Sequence, residues 1–393
     1  MRSRSRVAGV ALVLAFVLLA GVVSLAGCSG KSKVSEILIG NIQDLTGPNK
    51  AFGIAMTNAA TMLAEKINAE GGINGKKIRI ISYDTKSEVT EAINAYNRLV
   101  DQDQVLGCLG PPIANMGIAL APISEQKKVV IAGLFMDERC TTKAEGDPYR
   151  YMFLGQNSCG VQARIIARYA MEQLGCKTFA LLYNQANAYS VSLAAPFAQY
   201  VMSHGGTVLA TETFQTGDQD YRTQLTKIRN VKPDAIYLPL YPQEIPLGLK
   251  QAHELGIKAV ILGDNSYIPF AAMAGAEASE GVYFPYGIDP SSPDLQSFKD
   301  EYVAKFGIDP IAQSYSGWDT ARALFEAIRR ADEAGKLDRE TIADEMVKTV
   351  DLEGCFQGKL TISPGTHRPT GLPMYILQMR NNVPVTVTSL TEG

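Results

Sequence analysis

Side chains able to do covalent or metal chemistry are few and scattered along these 393 residues. Three histidines, His204, His253 and His367, stand far apart, with no HExxH pair for zinc and no GxSxG elbow for a nucleophilic serine. Six cysteines form no CxxC, so metal ligation and dithiol redox chemistry lack the spacing they need. Gly71 to Lys76 comes nearest to a phosphate-binding loop. It is one residue short, Lys77 stands where a Ser or Thr should reach magnesium, and a strand pattern follows where a helix must begin. It reads as a turn. Without a nucleophile–base pair or a ligand cluster, the sequence predicts no enzyme, no cofactor and no metal.

Cys28 is the one residue with a chemical task written around it. Arg2, Arg4 and Arg6 precede the apolar run Val7 to Leu19, and Leu25-Ala26-Gly27-Cys28 closes it with small residues before a thiol. Residues 1–27 therefore read as a lipoprotein signal peptide, Cys28 as the site of acylation, and 28–36 as a tether. The expected location is extracytoplasmic, anchored to the membrane by acyl chains, since no later run approaches the ~20 apolar residues of a span. Removing the leader leaves 34 basic against 40 acidic residues, a net charge of −6 that disfavours a nucleic-acid partner. Five cysteines remain, Cys108, Cys140, Cys159, Cys176 and Cys355. An odd number leaves at least one free, and their pairing stays open.

The elements that must position any site alternate between short β-rich runs and amphipathic helical stretches. Strands are predicted at Glu36 to Gly40, Lys77 to Tyr83 and Val105 to Leu109, with a helix from after Thr46-Gly47-Pro48 to Asn68 and another from Ser87, as cap, to Val100. The rhythm returns with helices at Arg164 to Leu174, Leu193 to His204 and Tyr221 to Arg229. Between them lie strands at Thr178 to Tyr183, Thr207 to Phe214, Ala235 to Leu240 and Ala259 to Leu262. Helices at Ser297 to Phe306 and Thr320 to Ala334 follow, then a hairpin-like end at Lys359 to Ile362 and Met374 to Met379. Trp318, the single tryptophan, reads as a packing residue at a helix start.

Repeated βα units imply an α/β fold with two doubly wound parallel-sheet lobes. About 365 mature residues suffice for two cores. Ligands of such sheets gather at the carboxyl ends of strands. That directs attention to the loops Leu45 to Gly53, Gly110 to Met116, Gly133 to Asp137, Asn184 to Tyr189, Tyr241 to Glu244 and Asp264 to Tyr267.

Five segments carry a resemblance in their order and spacing: Leu45-Thr46-Gly47-Pro48 with Phe52-Gly53, Ile67 to Gly75, Tyr83-Asp84, Gly110-Pro111 to Ala121-Pro122, and Glu280-Gly281-Val282. Together with the lipobox, the chain resembles the type I periplasmic binding proteins of branched-chain amino-acid ABC transporters, the leucine/isoleucine/valine-binding family, over nearly all its mature length. The resemblance implies a monomer of two lobes joined by a three-strand hinge, enclosing a small molecule for a permease and ATPase. Lobe 1 would take 37–155 plus 287–368 and lobe 2 would take 156–286 plus 369–393. Hinges would fall near Phe153 to Asn157, Phe284 to Gly287 and Pro369 to Leu372.

Carried over by position, the resemblance places ligand contacts at Phe52, Pro112, Ile113, Ala114, Asn115, Leu134, Phe135, Met136, Tyr189, Tyr241, Asp264, Asn265 and Tyr267. Where relatives hold a carboxylate with hydroxyls, this chain has Pro112-Ile113-Ala114-Asn115 and Leu134-Phe135-Met136. Asn265 stands where an acid would pair an ammonium, with Asp264 beside it. Missing partners of this kind cost about 1–3 kcal/mol each. The expected ligand is accordingly a partly apolar or aromatic solute, or an atypical amino-acid-like one. An ordinary branched-chain amino-acid receptor and a sensing receptor without transport stand as alternatives.

Overall fold

A computed structural model describes residues 36–392; the leader, Cys28 and most of the tether lie outside them. The first sheet runs in the order β2-β1-β3-β4-β5, all parallel. Its strands are β1 (Glu36–Gln43), β2 (Lys77–Asp84), β3 (Gly107–Leu109), β4 (Ile131–Gly133) and β5 (Met152–Leu154). Three helices connect them: α1 (Lys50–Ala69), α2 (Val89–Asp101) and α3 (Ala114–Lys127). Ile37 and Ile39 point to one face with Ala59, Leu63 and Ala64 of α1, while Ile42 and Cys108 join Tyr96, Leu99 and Leu120 on the other. Both faces are buried, as a parallel sheet requires. The strand order reverses between β1 and β3, which makes their carboxyl ends a switch point.

The second sheet is mixed, in the order β14-β13-β10-β9-β8-β6-β7. Its parallel part is β6 (Thr178–Asn184), β7 (Thr207–Phe214), β8 (Ala235–Tyr237), β9 (Val260–Leu262) and β10 (Tyr283–Tyr286); α4 (Cys159–Glu172) leads into β6, and α5 (Ala188–Ser203), α6 (Arg222–Val231) and α7 (Ile245–Glu254) join the strands up to β9. After β10 the chain returns to the first lobe with α8 (Gln296–Phe306), α9 (Ala312–Glu333) and α10 (Arg339–Val347). A two-residue ladder, β11 (Thr361–Ile362) with β12 (Pro369–Thr370), precedes the last crossing. The antiparallel hairpin β13 (Met374–Arg380) and β14 (Val383–Leu390) completes the second sheet. The expected pairing of 359–362 with 374–379 is therefore replaced by two separate ladders, and β14 carries no counterpart in the sequence reading.

Three crossings tie the lobes, and the first and third are bonded to each other. Leu154 N donates to His367 O at 3.0 Å, and Asn157 Nδ2 donates to Leu372 O at 3.1 Å. Phe153 stacks on His367 with ring centroids 4.4 Å apart. Gln357 links the first crossing to the second: its Nε2 donates to Gly155 O at 3.0 Å, and its carboxamide lies against Gly287.

Local chemistry accounts for one correction and one agreement in this region. Ser87 does not cap α2; it adopts φ +64° and turns its hydroxyl to Asp44, whose carboxylate also accepts from Gly47 N at 2.6 Å and Asn49 N at 2.9 Å. The loop after β1 is thus clamped to the loop after β2. The glycines of 71–75 all have positive φ, from +82° to +113°, and Lys76 pairs with Asp332 at 2.7 Å. The segment is the tight turn its sequence suggested.

Gly53, in the first turn of α1, lies so close to the Asp44 backbone that an added Cβ would sit 2.0 Å from Asp44 O. Alanine gains about 1 kcal/mol of helix propensity over glycine, but overpacking against backbone costs about 1–3 kcal/mol. Gly53→Ala is therefore expected to lower the denaturant midpoint. An unchanged or raised midpoint would show that the α1 start does not depend on this close approach.

Candidate functional site

The loops at the carboxyl ends of both sheets face each other, and direct contacts join them. From lobe 1, α3 starts at Ala114 with Ile113 in extended conformation as its N-cap. Asn115 Oδ1 accepts from Ala188 N of lobe 2 at 3.0 Å. The phenol of Tyr241, between β8 and α7, is approached by the Ala114 backbone amide and the Asn187 side chain. Tyr241 stacks on Tyr189 with ring centroids 5.2 Å apart and an interplanar angle of 30°. Phe52 meets Phe270 of lobe 2 edge-on at 6.1 Å.

The segment after β4 divides its three side chains. Phe135 is fully buried in lobe 1, against Gly117 and Gly133, where an added Cβ would come within 2.8 Å and 2.7 Å of its ring or Cβ. Met136 takes φ +50°, a left-handed conformation costing about 1–2 kcal/mol for a non-glycine residue. Two backbone bonds hold it there: Cys159 N donates to Met136 O, and Asp137 N donates to Phe135 O. The twist sends the Met136 side chain into the lobe 2 core cluster, its sulfur 3.9 Å from both Asn265 Nδ2 and Gln162 Nε2. Leu134 is buried, and its carbonyl accepts from Gln156 Nε2 at 3.1 Å.

In lobe 2 a buried network centres on Asp264. Its oxygens accept from Tyr189 Oη at 2.8 Å, Ser266 N at 2.8 Å and Leu240 N at 2.9 Å. Burial pushes its pKa up to about 6 against the pull of these donors. The Tyr189 hydroxyl also lies 3.1 Å from Asn265 Oδ1 and 3.0 Å from Ser266 Oγ, and burial holds its pKa well above the ordinary phenol range. Asp264 is therefore engaged by its own lobe.

The positions expected to touch a ligand separate accordingly. Ala114, Asn115, Met136, Tyr189, Tyr241 and Asn265 are linked by contacts at the facing loops, Phe52 meets Phe270 there, Leu134 is buried and Pro112 half-exposed. Phe135, Ile113 and Tyr267 pack within their own lobes. The first two pack in the lobe 1 core, and Tyr267 stacks on Phe284 while its hydroxyl donates to Leu238 O at 2.8 Å. Their apolar bodies fill the space under each loop. Asp264 anchors Tyr189.

Three glutamines went unnoticed in the sequence: Gln43 at the end of β1, Gln162 in the first turn of α4 and Gln313 in the first turn of α9. Each is buried, with a side-chain oxygen that has no hydrogen-bond partner within the protein. The available signal was a polar residue at a strand end or helix start among apolar neighbours.

Other chemistry lies away from this site. Cys108, Cys140, Cys159, Cys176 and Cys355 are free thiols, their pKa values raised by burial. Among the described residues no His/Cys/Asp/Glu group could hold a metal, and no helix is long and apolar enough to cross a membrane. A cavity of about 650 Å³ opens at the opposite, amino-terminal rim of the second sheet, lined by Leu174, Cys176, Arg229, Lys232 and Lys258. Arg229 in the last turn of α6 and Lys232 at its C-cap complement the helix dipole there.

A family model described as periplasmic binding protein matches residues 36–383. The Leu/Ile/Val-binding protein BraC3 of Rhizobium johnstonii is 28% identical over 333 residues, covering 83% of this chain and 87% of its own. The branched-chain amino acid transporter substrate binding protein LivJ of Streptococcus pneumoniae, solved with isoleucine, is 28% identical with a TM-score of 0.78, covering 90% of this chain and 99% of its own. A solute binding protein of an ABC transporter from R. palustris, solved with benzoate, shares the fold at 17% identity and a TM-score of 0.78, covering 91% of this chain and 98% of its own. Two hinged α/β lobes with facing loops, matched over this length, place the chain in the periplasmic binding protein family, as a substrate-binding protein of an ABC transporter and not an enzyme.

Proposed function

We propose that this chain is the lipid-anchored receptor of an ABC importer, closing on a compact, largely apolar or aromatic solute. In this reading Cys28 carries the anchor after removal of 1–27, and 28–36 is the tether. Segments 37–155 and 287–368 move as one body against 156–286 and 369–393, and the receptor works as a monomer. The observation that carries the ligand class is the Tyr189–Tyr241 stack, in one apolar cluster with Met136 and set beside a carboxylate whose bonds are all made inside lobe 2. Aromatic and aliphatic surface gains from burial, whereas an ammonium finds no free counter-charge. The fold that holds benzoate in the R. palustris protein has room for a ring.

A second reading, a branched-chain amino acid, is favoured by the names of the relatives at 28% identity. It requires Asp264 to release Tyr189 and pair with the ligand. Thermal shift with aromatic acids, amides, short fatty acids and amino acids separates the two, because binding to the native state alone raises its stability. The expected result is stabilisation by an aromatic or apolar solute and none by leucine or valine. Stabilisation by leucine alone would favour the second reading.

A further inference from the structure

Two helix starts meet across the cleft, and each is finished by the other lobe. The first N–H groups of a helix have no partner within it. In α5, the side-chain oxygen of the N-cap Asn187 accepts from Tyr189 N at 3.0 Å and Ser190 N at 3.4 Å, and its backbone oxygen accepts from Val191 N at 3.1 Å. That leaves Ala188 N, and its acceptor is Asn115 Oδ1 of lobe 1 at 3.0 Å. In α3 the N-cap is Ile113, whose side chain can accept nothing. There the first amide, Ala114 N, faces the Tyr241 phenol of lobe 2, which the Asn187 side chain also approaches.

Asn115 is the second residue of α3 and is exposed where the facing loops meet. Its oxygen thus stands at the start of both helices, where their dipoles favour an acceptor. Ala114 and Met136, also from lobe 1, are buried in the apolar cluster of lobe 2 with Tyr189, so the same closure covers apolar surface. All of these contacts run between protein atoms. They favour the closed form by the same amount whichever solute is bound, whereas opening returns Ala188 N and Ala114 N to water.

Resting on the reading of the chain as a hinged two-lobed receptor, we infer that Asn115 is a positioning residue for closure: a latch that holds the start of α5 across the cleft, and not a contact of the solute.

Small-angle X-ray scattering of the purified, solute-free full chain, with hydrogen exchange of residues 185–191, tests this. Asn115→Ala is expected to lower the ratio of closed to open molecules about fivefold, as the loss of one neutral hydrogen bond should. It is also expected to speed exchange of the Ala188 amide while the circular dichroism spectrum stays unchanged. Asn115→Asp keeps the acceptor and adds a negative charge at two helix starts, so it is expected to hold the wild-type ratio or raise it. Asn115→Ala combined with Tyr241→Phe removes both cross-lobe acceptors and is expected to open the cleft further. Equal closed fractions and equal Ala188 exchange in wild type, the alanine variant and the double variant overturn the latch. An aspartate variant as open as the alanine one overturns it too. If the proteins still pass between open and closed forms in either case, the hinged receptor stands; one rigid form in every protein would overturn that reading as well.

Discussion

Asp264→Ala is expected to cost about 3 kcal/mol or more of stability, and to weaken ligand binding tenfold or more through the loss of Tyr189. The carboxylate satisfies three buried donors, Leu240 N, Ser266 N and Tyr189 Oη. Leaving each unpaired costs about 1–3 kcal/mol. Part of that loss is offset at neutral pH, because a buried carboxyl whose pKa is raised to about 6 is itself penalised when charged. The sign follows: the native state binds the proton more tightly than the unfolded chain does, so this group destabilises above about pH 6 and the penalty disappears as pH falls toward 4. Asp264→Ala should therefore be relatively most damaging in mild acid, where the wild-type group is relieved of its charge. Asp264→Asn keeps one acceptor without the charge and should lie between the two. Denaturant unfolding at pH 5 and 7.5, with calorimetry for the ligand, measures both effects. An alanine variant as stable as wild type at both pH values would show that Tyr189 is held by its stacking alone.

The βα rhythm was legible because both periodicities that report it are strong. β2, β6 and β7 lie within a residue of their expected bounds, and α1 ends one residue after the expected Asn68. Where the pattern fails, a specific residue interferes. The segment 110–116 read as a loop because Pro111, Pro112 and Gly117 mask the start of α3, which also contains Pro122. Gly117 is there for contact, since Phe135 and Cys140 leave no room for a Cβ. β14 alternates valines with threonines on an exposed sheet edge and offers no core-facing apolar run.

In the site, the aromatic pair was legible by position, but the fate of Leu134, Phe135 and Met136 was not. Three consecutive apolar residues give no hint that one backbone torsion at Met136 sends neighbouring side chains into different lobes. The glutamines escaped for a related reason. An amide becomes informative only when the structure shows that its oxygen is buried and unpaired.

Asp319 gives the second large effect, read out by the protein's only tryptophan next to it. Its carboxylate, wholly buried in α9, accepts from Phe356 N at 2.7 Å, Gln357 N at 3.0 Å and Gln357 Nε2 at 3.2 Å, while Trp318 Nε1 donates to Gly354 O of the same loop at 3.3 Å. Gln357 in turn bonds Gly155 at the hinge. Burial pushes the Asp319 pKa up to about 7 despite these donors and Arg322, with the Cys355 thiol the other titratable neighbour. Because the folded value lies above the unfolded one, this group favours the native state at low pH, and its contribution declines as pH rises from about 4 to about 7. A shift of about three units corresponds to something on the order of 4 kcal/mol. His367, whose pKa is lowered by burial, pulls the other way in part of this window. The decisive quantity is thus the difference between wild type and Asp319→Asn. That difference should shrink by several kcal/mol between pH 4.5 and 8, and wild-type Trp318 emission should titrate with a midpoint near 7 that the asparagine variant lacks. A pH-independent difference, with flat emission in both proteins, would mean that the carboxylate stays charged throughout and that its hydrogen bonds outweigh its burial.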